Sequence, residues 1–364
     1  MATSAFAITT IGRGRLVGNA NLRADYDSNI FVNNSNTDDI VTTLSSEVRY
    51  LRDVGVFSLD TGVGATALLF ADNTDQKALD PIFDAKVGFT PSSKTDVRGG
   101  VRYRRSSIAN EIVNDRTESN DLFLDGSAEH LTTEKIGFRV TGGYSESNYR
   151  TVGYSDVFNY SAGLFVVNQY SPKLKLLAGV TTLEWWTSDI AFGQQSVSTN
   201  DLRYTLGAEG EIAPKVTGDV QVGYLTREFD SVGLSDTDAL YVSVSTNWMA
   251  SEKRSFSLRL SEDLSLTAAG QSLKSSSALV SMNQTISAKL NFDVSAGLDR
   301  SSYSVPGGIG SRKDNGMTFR GRIAYTFTDY ASIDLSSGYR INNSDLAVSD
   351  YDRFNIGVGI SLRF

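Results

Sequence analysis

Cysteine is absent from the 364 residues, which excludes disulfides, thiolate nucleophiles and cysteine-ligated metals. Proline occurs only five times and histidine once, so neither a proline-rich linker nor a histidine-based metal centre has material to build from. Long apolar runs are missing too. The longest, such as 66–71 and 163–167, fall far short of the ~18 residues that a membrane-spanning helix needs. No segment keeps a helical period, so membrane residence has to come from strands. The formal net charge of -8 is made of interspersed residues of both signs, not an acidic tail or basic stripe, which argues against nucleic acid as a partner. No shift in composition marks a linker, and one large domain follows.

What is abundant suits strands and turns: Tyr, Phe, Ser, Thr, Val, Asn and Gly. Ala5-Phe6-Ala7 matches the end of a secretory signal, although no charged or apolar region precedes it. Residues 1–7 therefore read as a signal remnant or a disordered start, and 8–364 as the folded domain. From about residue 16 onward, apolar and polar residues alternate in segments of roughly ten. The last segment is the clearest. Phe354, Ile356, Val358, Ile360, Leu362 and Phe364 share one parity, and Arg353, Asn355, Gly357, Gly359, Ser361 and Arg363 the other. Successive side chains of a strand point to opposite faces, so such a segment separates oil from water.

About eighteen such segments can be marked, an even number that brings an up-and-down barrel back to its starting side. Their connections alternate in length. Short ones fall at 52–55, 91–94, 132–135, 172–173, 214–215, 251–254, 288–289 and 328–330. Longer polar ones fall at 27–39, 107–118, 188–199, 228–236, 304–314 and 342–350. Short periplasmic turns and long outer loops are the bacterial pattern. Aromatics on the apolar parity sort to the segment ends, with Tyr50, Phe57, Phe89, Trp248 and Phe364 near the short turns and Tyr26, Tyr103, Trp186, Tyr204 and Tyr339 near the long ones. Amphipathic rings favour the headgroup level, which gives two girdles. An open edge in hydrocarbon would strand unpaired N–H and C=O groups, so the segment at 16–26 is expected to pair with 352–364. The fold class is an all-β, closed antiparallel transmembrane barrel.

The chain's end, Ile360-Ser361-Leu362-Arg363-Phe364, resembles the C-terminal signal that hands outer-membrane barrels to the barrel-assembly machinery. Tyr26-Asp27-Ser28-Asn29-Ile30-Phe31, with Gly338-Tyr339-Arg340 and Tyr351-Asp352-Arg353, resembles the putative beta-barrel porin 2 family over nearly the full length. That resemblance implies an eighteen-stranded passive channel associated with exopolysaccharide secretion. It implies periplasmic polysaccharide-export components as partners and transfers no catalytic motif. A general or solute-selective diffusion porin, and a plugged structural or adhesive barrel, are the other readings of the same pattern.

The polar parity is expected to line the lumen. It carries many glycines, among them Gly62, Gly100, Gly297 and Gly357, which either widen a channel or relieve curvature. It also carries the pore-lining candidates Arg98, Arg102, Arg104, Asp125, Glu129, Arg139, Arg203, Glu209, Glu211, Asp219, Asp293, Asp299 and Asp334. The arginines read either as a guide for an anionic or hydroxyl-rich solute or as members of a cross-strand ion-pair lattice. His130 has no nucleophile motif around it and reads as an interfacial ring rather than a catalytic base. The Asp and Asn clusters at 33–39 and 342–350 lack an EF-hand's order and closing Glu. No cofactor, metal or catalytic residue is expected. The expected contacts are outer-membrane lipid, lipopolysaccharide, and a polysaccharide or small solute in the lumen.

Overall fold

Segments of alternating polarity become long antiparallel strands in the computed structural model, which describes residues 9–188, 196–230, 235–304 and 311–364. Residues 1–7, and parts of the expected connections at 188–199, 228–236 and 304–314, lie outside the described residues. In chain order the strands begin with β1 (Thr9–Ile11), β2 (Gly14–Asp27), β3 (Asp39–Val54), β4 (Phe57–Phe70), β5 (Ala78–Ser92) and β6 (Thr95–Asn110). Next come β7 (Asp115–Leu131), β8 (Ile136–Tyr149), β9 (Val157–Ser171), β10 (Leu174–Thr187), β11 (Ser198–Ala213), β12 (Val216–Phe229) and β13 (Thr237–Ser251). The last are β14 (Arg254–Leu266), β15 (Ser272–Thr285), β16 (Leu290–Ser304), β17 (Arg312–Thr328), β18 (Ala331–Ser344) and β19 (Tyr351–Arg363).

From β2 to β19 each strand pairs antiparallel with the next, and β19 pairs with β2, closing an eighteen-stranded barrel. The closing register runs from Asn355↔Asp27 to Arg363↔Asn19. Beyond it, Gly18 and Phe364 exchange backbone hydrogen bonds. β1 is a three-residue strip on β2, with Thr9 opposite Leu16 and Ile11 opposite Gly14. Strands spaced ~4.8 Å apart and tilted ~40° give a backbone cylinder about 36 Å across. That leaves room inside for more than wall side chains.

Register fixes the two faces. Val48, Val63, Phe83 and Tyr103 lie side by side across β3 to β6, and Val63 is 60% exposed on the outside. Leu206 on the far side of the barrel is 64% exposed. The groups that water normally claims are hidden instead: Asp84, Glu129, Asp201, Arg227 and Asp334 are all buried. A soluble domain sorts these classes the other way round, whereas a barrel in lipid requires this inversion. Outward aromatics gather at the rims, as where Trp248 stacks on Phe256 with ring centroids 5.4 Å apart.

Turns of two to four residues join strands at the end that also holds Phe364, and longer connections such as 28–38 and 150–156 join them at the other. At Gly55, φ of +65° serves one of the tight turns, a conformation that a Cβ disfavours. One expected connection is corrected. Residues 107–118 are mostly strand, because β6 continues to Asn110 and β7 starts at Asp115, with the two paired up to those residues, and the connection shrinks to 111–114. Alternation weakens there because the hairpin has left the oil–water boundary, but its backbone pairing continues.

Candidate functional site: the lumen wall and its outer mouth

Strand register places all thirteen pore-lining candidates on the inward face. Arg98, Arg102 and Arg104 stand on β6 opposite Ser127, Phe123 and Asp121 of β7, and Asp125 stands opposite Gly100. Arg139 faces Glu129 across β7 and β8. Arg203, Glu209 and Glu211 lie on β11, with Asp219 across from Glu209 on β12. Asp293 and Asp299 lie on β16, and Asp334 on β18 opposite Gly359.

Most of these charges are tied into a lattice. Arg139 donates through Nε to Glu129 Oε2 at 2.9 Å and through Nη1 to Glu209 Oε2 at 2.9 Å, and Lys175 also reaches Glu129. Arg104 bonds Asp121 at 3.0 Å and Arg98 bonds Asp96 at 2.7 Å. Arg203 contacts Asp263 at 2.8 Å while its guanidinium lies 3.8 Å from the centre of the Tyr241 ring. Asp334 accepts from Arg23 at 2.8 Å and from Arg322 at 3.1 Å, and Arg340 contacts Asp299 at 2.9 Å. Asp219 accepts from Gln221 at 3.0 Å. At the short-turn rim, Lys173 meets Glu211 at 2.7 Å. That contact holds the Lys173 ammonium above its usual range, first through the hydrogen bond and then through the charge. Arg102, by contrast, is exposed to the lumen and makes no ion pair among the described residues.

Glycines let these long side chains lie against the wall. A Cβ built at Gly357 would stand 1.9 Å from Asp25 Oδ1, and one at Gly316 would stand 2.3 Å from Asp299 Oδ2. The neighbouring strand's carboxylate therefore occupies the space that a side chain would have filled. At these positions the glycine gives a cross-strand carboxylate room to fold flat against the wall.

Among the described residues, two hairpin tips turn inward at the long-loop end. The β6–β7 tip reaches the opposite part of the ring. Arg312 on β17 donates to Glu111 O at 2.8 Å, Ile112 O at 2.9 Å and Asn114 Oδ1 at 3.1 Å. Asp314 holds that guanidinium at 2.6 Å, and the Tyr303 ring lies 4.3 Å from it. Arg340 reaches Glu111 at 2.5 Å, and Ser349 bonds Asn114 from the loop before β19. The connection at 28–38 closes the ring of contacts, with Asn114 Nδ2 donating to Val32 O at 3.0 Å.

The second tip, at 267–271 between β14 and β15, leans toward β10 to β12. Leu264 leaves the barrel face to pack with Leu225 and Ala239. Arg227, wholly buried in its pair with Asp201 at 2.6 Å, donates to Ser265 O and to Ser272 Oγ, both at 3.1 Å. Ser155 N bonds Ala268 O at 2.8 Å from the loop before β9. Sequence reasoning named none of Arg49, Asp84, Arg227, Asp201 or Arg312, and it named Arg340 only within the Gly338-Tyr339-Arg340 motif, without a contact. The polar parity was the available signal for the strand positions, but nothing in it marked which arginines would hold a loop.

At the short-turn end the bore opens into a cavity of about 1070 Å³ lined by β1 to β7, including Arg15, Arg52, Asp60, Lys86, Arg98 and Asp125. His130 sits on the outward parity at that rim, its Nδ1 3.0 Å from Thr95 Oγ1. Among the described residues, no cluster of three or more His, Cys, Asp or Glu is placed to hold a metal ion.

The family model described as Putative beta-barrel porin 2 matches residues 10–364. No curated protein sequence matches this chain. Among solved structures, the siderophore receptor PirA from Pseudomonas aeruginosa is similar at 9% identity over 98% of this chain and 81% of its own, with a TM-score of 0.48. The siderophore receptor PiuA from Acinetobacter baumannii is similar at 9% identity over 98% and 82%, with a TM-score of 0.49. The ferric citrate transporter FecA in its unliganded form is similar at 8% identity over 93% and 61%, with a TM-score of 0.48. Likenesses at this level transfer no substrate. The match across nearly the whole chain and the closed eighteen-stranded architecture agree, and the protein belongs to the Putative beta-barrel porin 2 family as a porin-like barrel of outer-membrane type.

Proposed function

We propose that the protein is a passive channel of the bacterial outer membrane that carries an exopolysaccharide outward. The association with export is what the sequence resemblance implies, and one structural observation supports the choice of a sugar polymer. The inward face from β13 to β18 is a field of short hydroxyl and amide groups, including Ser245, Asn247, Ser257, Ser281, Asn283, Ser295 and Ser336. Such groups both donate and accept hydrogen bonds, so a hydroxyl-rich chain can exchange wall contacts for water contacts at little net cost while it slides. Strong fixed sites would trap it.

The wide short-turn mouth receives the polymer from periplasmic export components, and lipopolysaccharide surrounds the long-loop end. Deleting the gene is expected to leave polysaccharide in the periplasm and abolish its release. Normal release from the deletion strain would refute the reading. A second reading, a barrel closed for structural or adhesive work, is favoured by the inward-turned tips at 111–114 and 267–271. A closed current trace in planar bilayers together with unchanged polysaccharide release would support it.

A further inference from the structure

Arginines on the inward face mostly meet carboxylates, but two on one side of the bore do not. Arg259 on β14 and Arg320 on β17 are exposed to the lumen and make no hydrogen bond or ion pair among the described residues. Both line one cavity of about 500 Å³ in the wall, together with Arg322, Asp293 and a series of serines and asparagines. Asp293 is the carboxylate in this lining, and it is engaged. It accepts from Asn283 Nδ2 at 2.5 Å and lies 3.9 Å from Arg322, which itself also serves Asp334 at 3.1 Å. The cavity therefore keeps a surplus of positive charge that no wall residue neutralises.

The floor between the two arginines is specific in its chemistry. Ser257 pairs with Ser281, Ser281 with Ser295, and Ser295 with Arg320, so three hydroxyls stand at one level on consecutive strands with a guanidinium closing the row. Arg259 rises from β14, two positions beyond Ser257 on the same face. Serine side chains are short, which sinks the row below its neighbours and leaves the arginine forks at its margins.

We propose that this recess binds an acidic sugar unit, such as a hexuronate, of the transported polymer. The inference rests on the carbohydrate-channel reading and deepens it by naming the class of sugar. A guanidinium fork matches a carboxylate in bidentate geometry, and the serine row meets the ring hydroxyls. A neutral sugar would desolvate two unpaired cations without return. A small inorganic anion would leave the hydroxyl row unused. The volume lies within the range of ordinary ligand sites, roughly 300 to 1,000 Å³, and it lies open to the lumen, so a polymer can enter and leave sideways.

The test is calorimetric titration of the full chain in detergent with a hexameric oligogalacturonate, with cellohexaose as the neutral chain of equal length, and with sulfate. The oligogalacturonate is expected to bind, and the other two to bind at least about tenfold more weakly. Arg259→Ser and Arg320→Ser are each expected to weaken oligogalacturonate by about tenfold, the loss of one charged fork. Arg320→Lys is expected to retain only part of the affinity. Both arginines face the lumen, and retention of the folded band on unboiled gels verifies each variant. Equal affinity for cellohexaose, equal affinity for sulfate, or unchanged binding in the double serine variant would each overturn the assignment. Current through planar bilayers is read separately. A conducting protein without uronate preference refutes the site and spares the channel, while uronate binding by a protein that never conducts refutes the channel and spares the site.

Discussion

Arg312 is the residue whose removal says most about the outer mouth. Its guanidinium donates three hydrogen bonds to the β6–β7 tip, at 2.8, 2.9 and 3.1 Å, while Asp314 and Tyr303 hold it from the wall side. Water replaces these bonds when the tip lifts, so each contributes about 1 kcal/mol net, and the three together about 3 kcal/mol. That is a shift of about 150-fold in the ratio of docked to lifted tip. Arg312→Ala is therefore expected to raise the occupancy of the high-conductance level in single-channel records by up to two orders of magnitude. Glu111→Gln, which weakens the contact with Arg340, is expected to act in the same direction and more mildly. The converse perturbation is clean because the chain has no native thiol. Asn114→Cys with Ser349→Cys, joined by a reducible bifunctional reagent, is expected to hold the low level until reductant is added. Identical records from the parent, Arg312→Ala and the cross-linked pair would show that the tip does not limit the path.

Three further outcomes follow from other parts of the wall. Arg227→Ala leaves Asp201 charged and buried, and stability is expected to fall by about 3–5 kcal/mol, read as the urea midpoint of unfolding in vesicles; a loss below about 1 kcal/mol would contradict the burial of that pair. Arg139→Gln removes the cation shared by Glu129 and Glu209, and reversal potentials in a salt gradient are expected to move toward cation preference. An unmoved potential would mean that ions do not pass that level. Gly223→Ala would bring a Cβ to 2.2 Å from the Tyr204 carbonyl oxygen, whereas Gly321→Ala meets nothing within 4 Å. The first is expected to lose the compact band on unboiled gels and the second to keep it, and equal behaviour of the two would refute the packing argument.

Period-two polarity is a local property, and it made the barrel legible. A strand such as 353–364 needs no distant information to reveal that its two faces meet different solvents, and closure between 16–26 and 352–364 followed from the cost of an unpaired edge. Parity likewise put Arg139, Asp299 and Asp334 on the inner side. Which charge meets which was not legible, because a pair such as Arg340 and Glu111 joins strands separated by much of the ring. The hairpin at 107–118 was misread as loop for a related reason. Once a strand pair leaves the bilayer, solvent no longer enforces alternation, although hydrogen bonding between the strands continues. The unpaired Arg259 and Arg320 look like every other inward arginine in sequence, and only the arrangement of carboxylates around them sets them apart.

The three-residue strip at the start of the described chain has a consequence for the exposed rim of the barrel. β2 runs past the point where Phe364 stops, so on that flank the backbone of Arg15 and Leu16 would lie bare at the rim while β3 covers the opposite flank. Thr9, Thr10 and Ile11 occupy the bare flank. An uncovered strand margin is a template on which another copy can grow a ladder. By folding back on itself, the chain caps a stretch of rim beside the closing seam that β19 leaves unmatched, and so denies another copy a margin on which to add a strand.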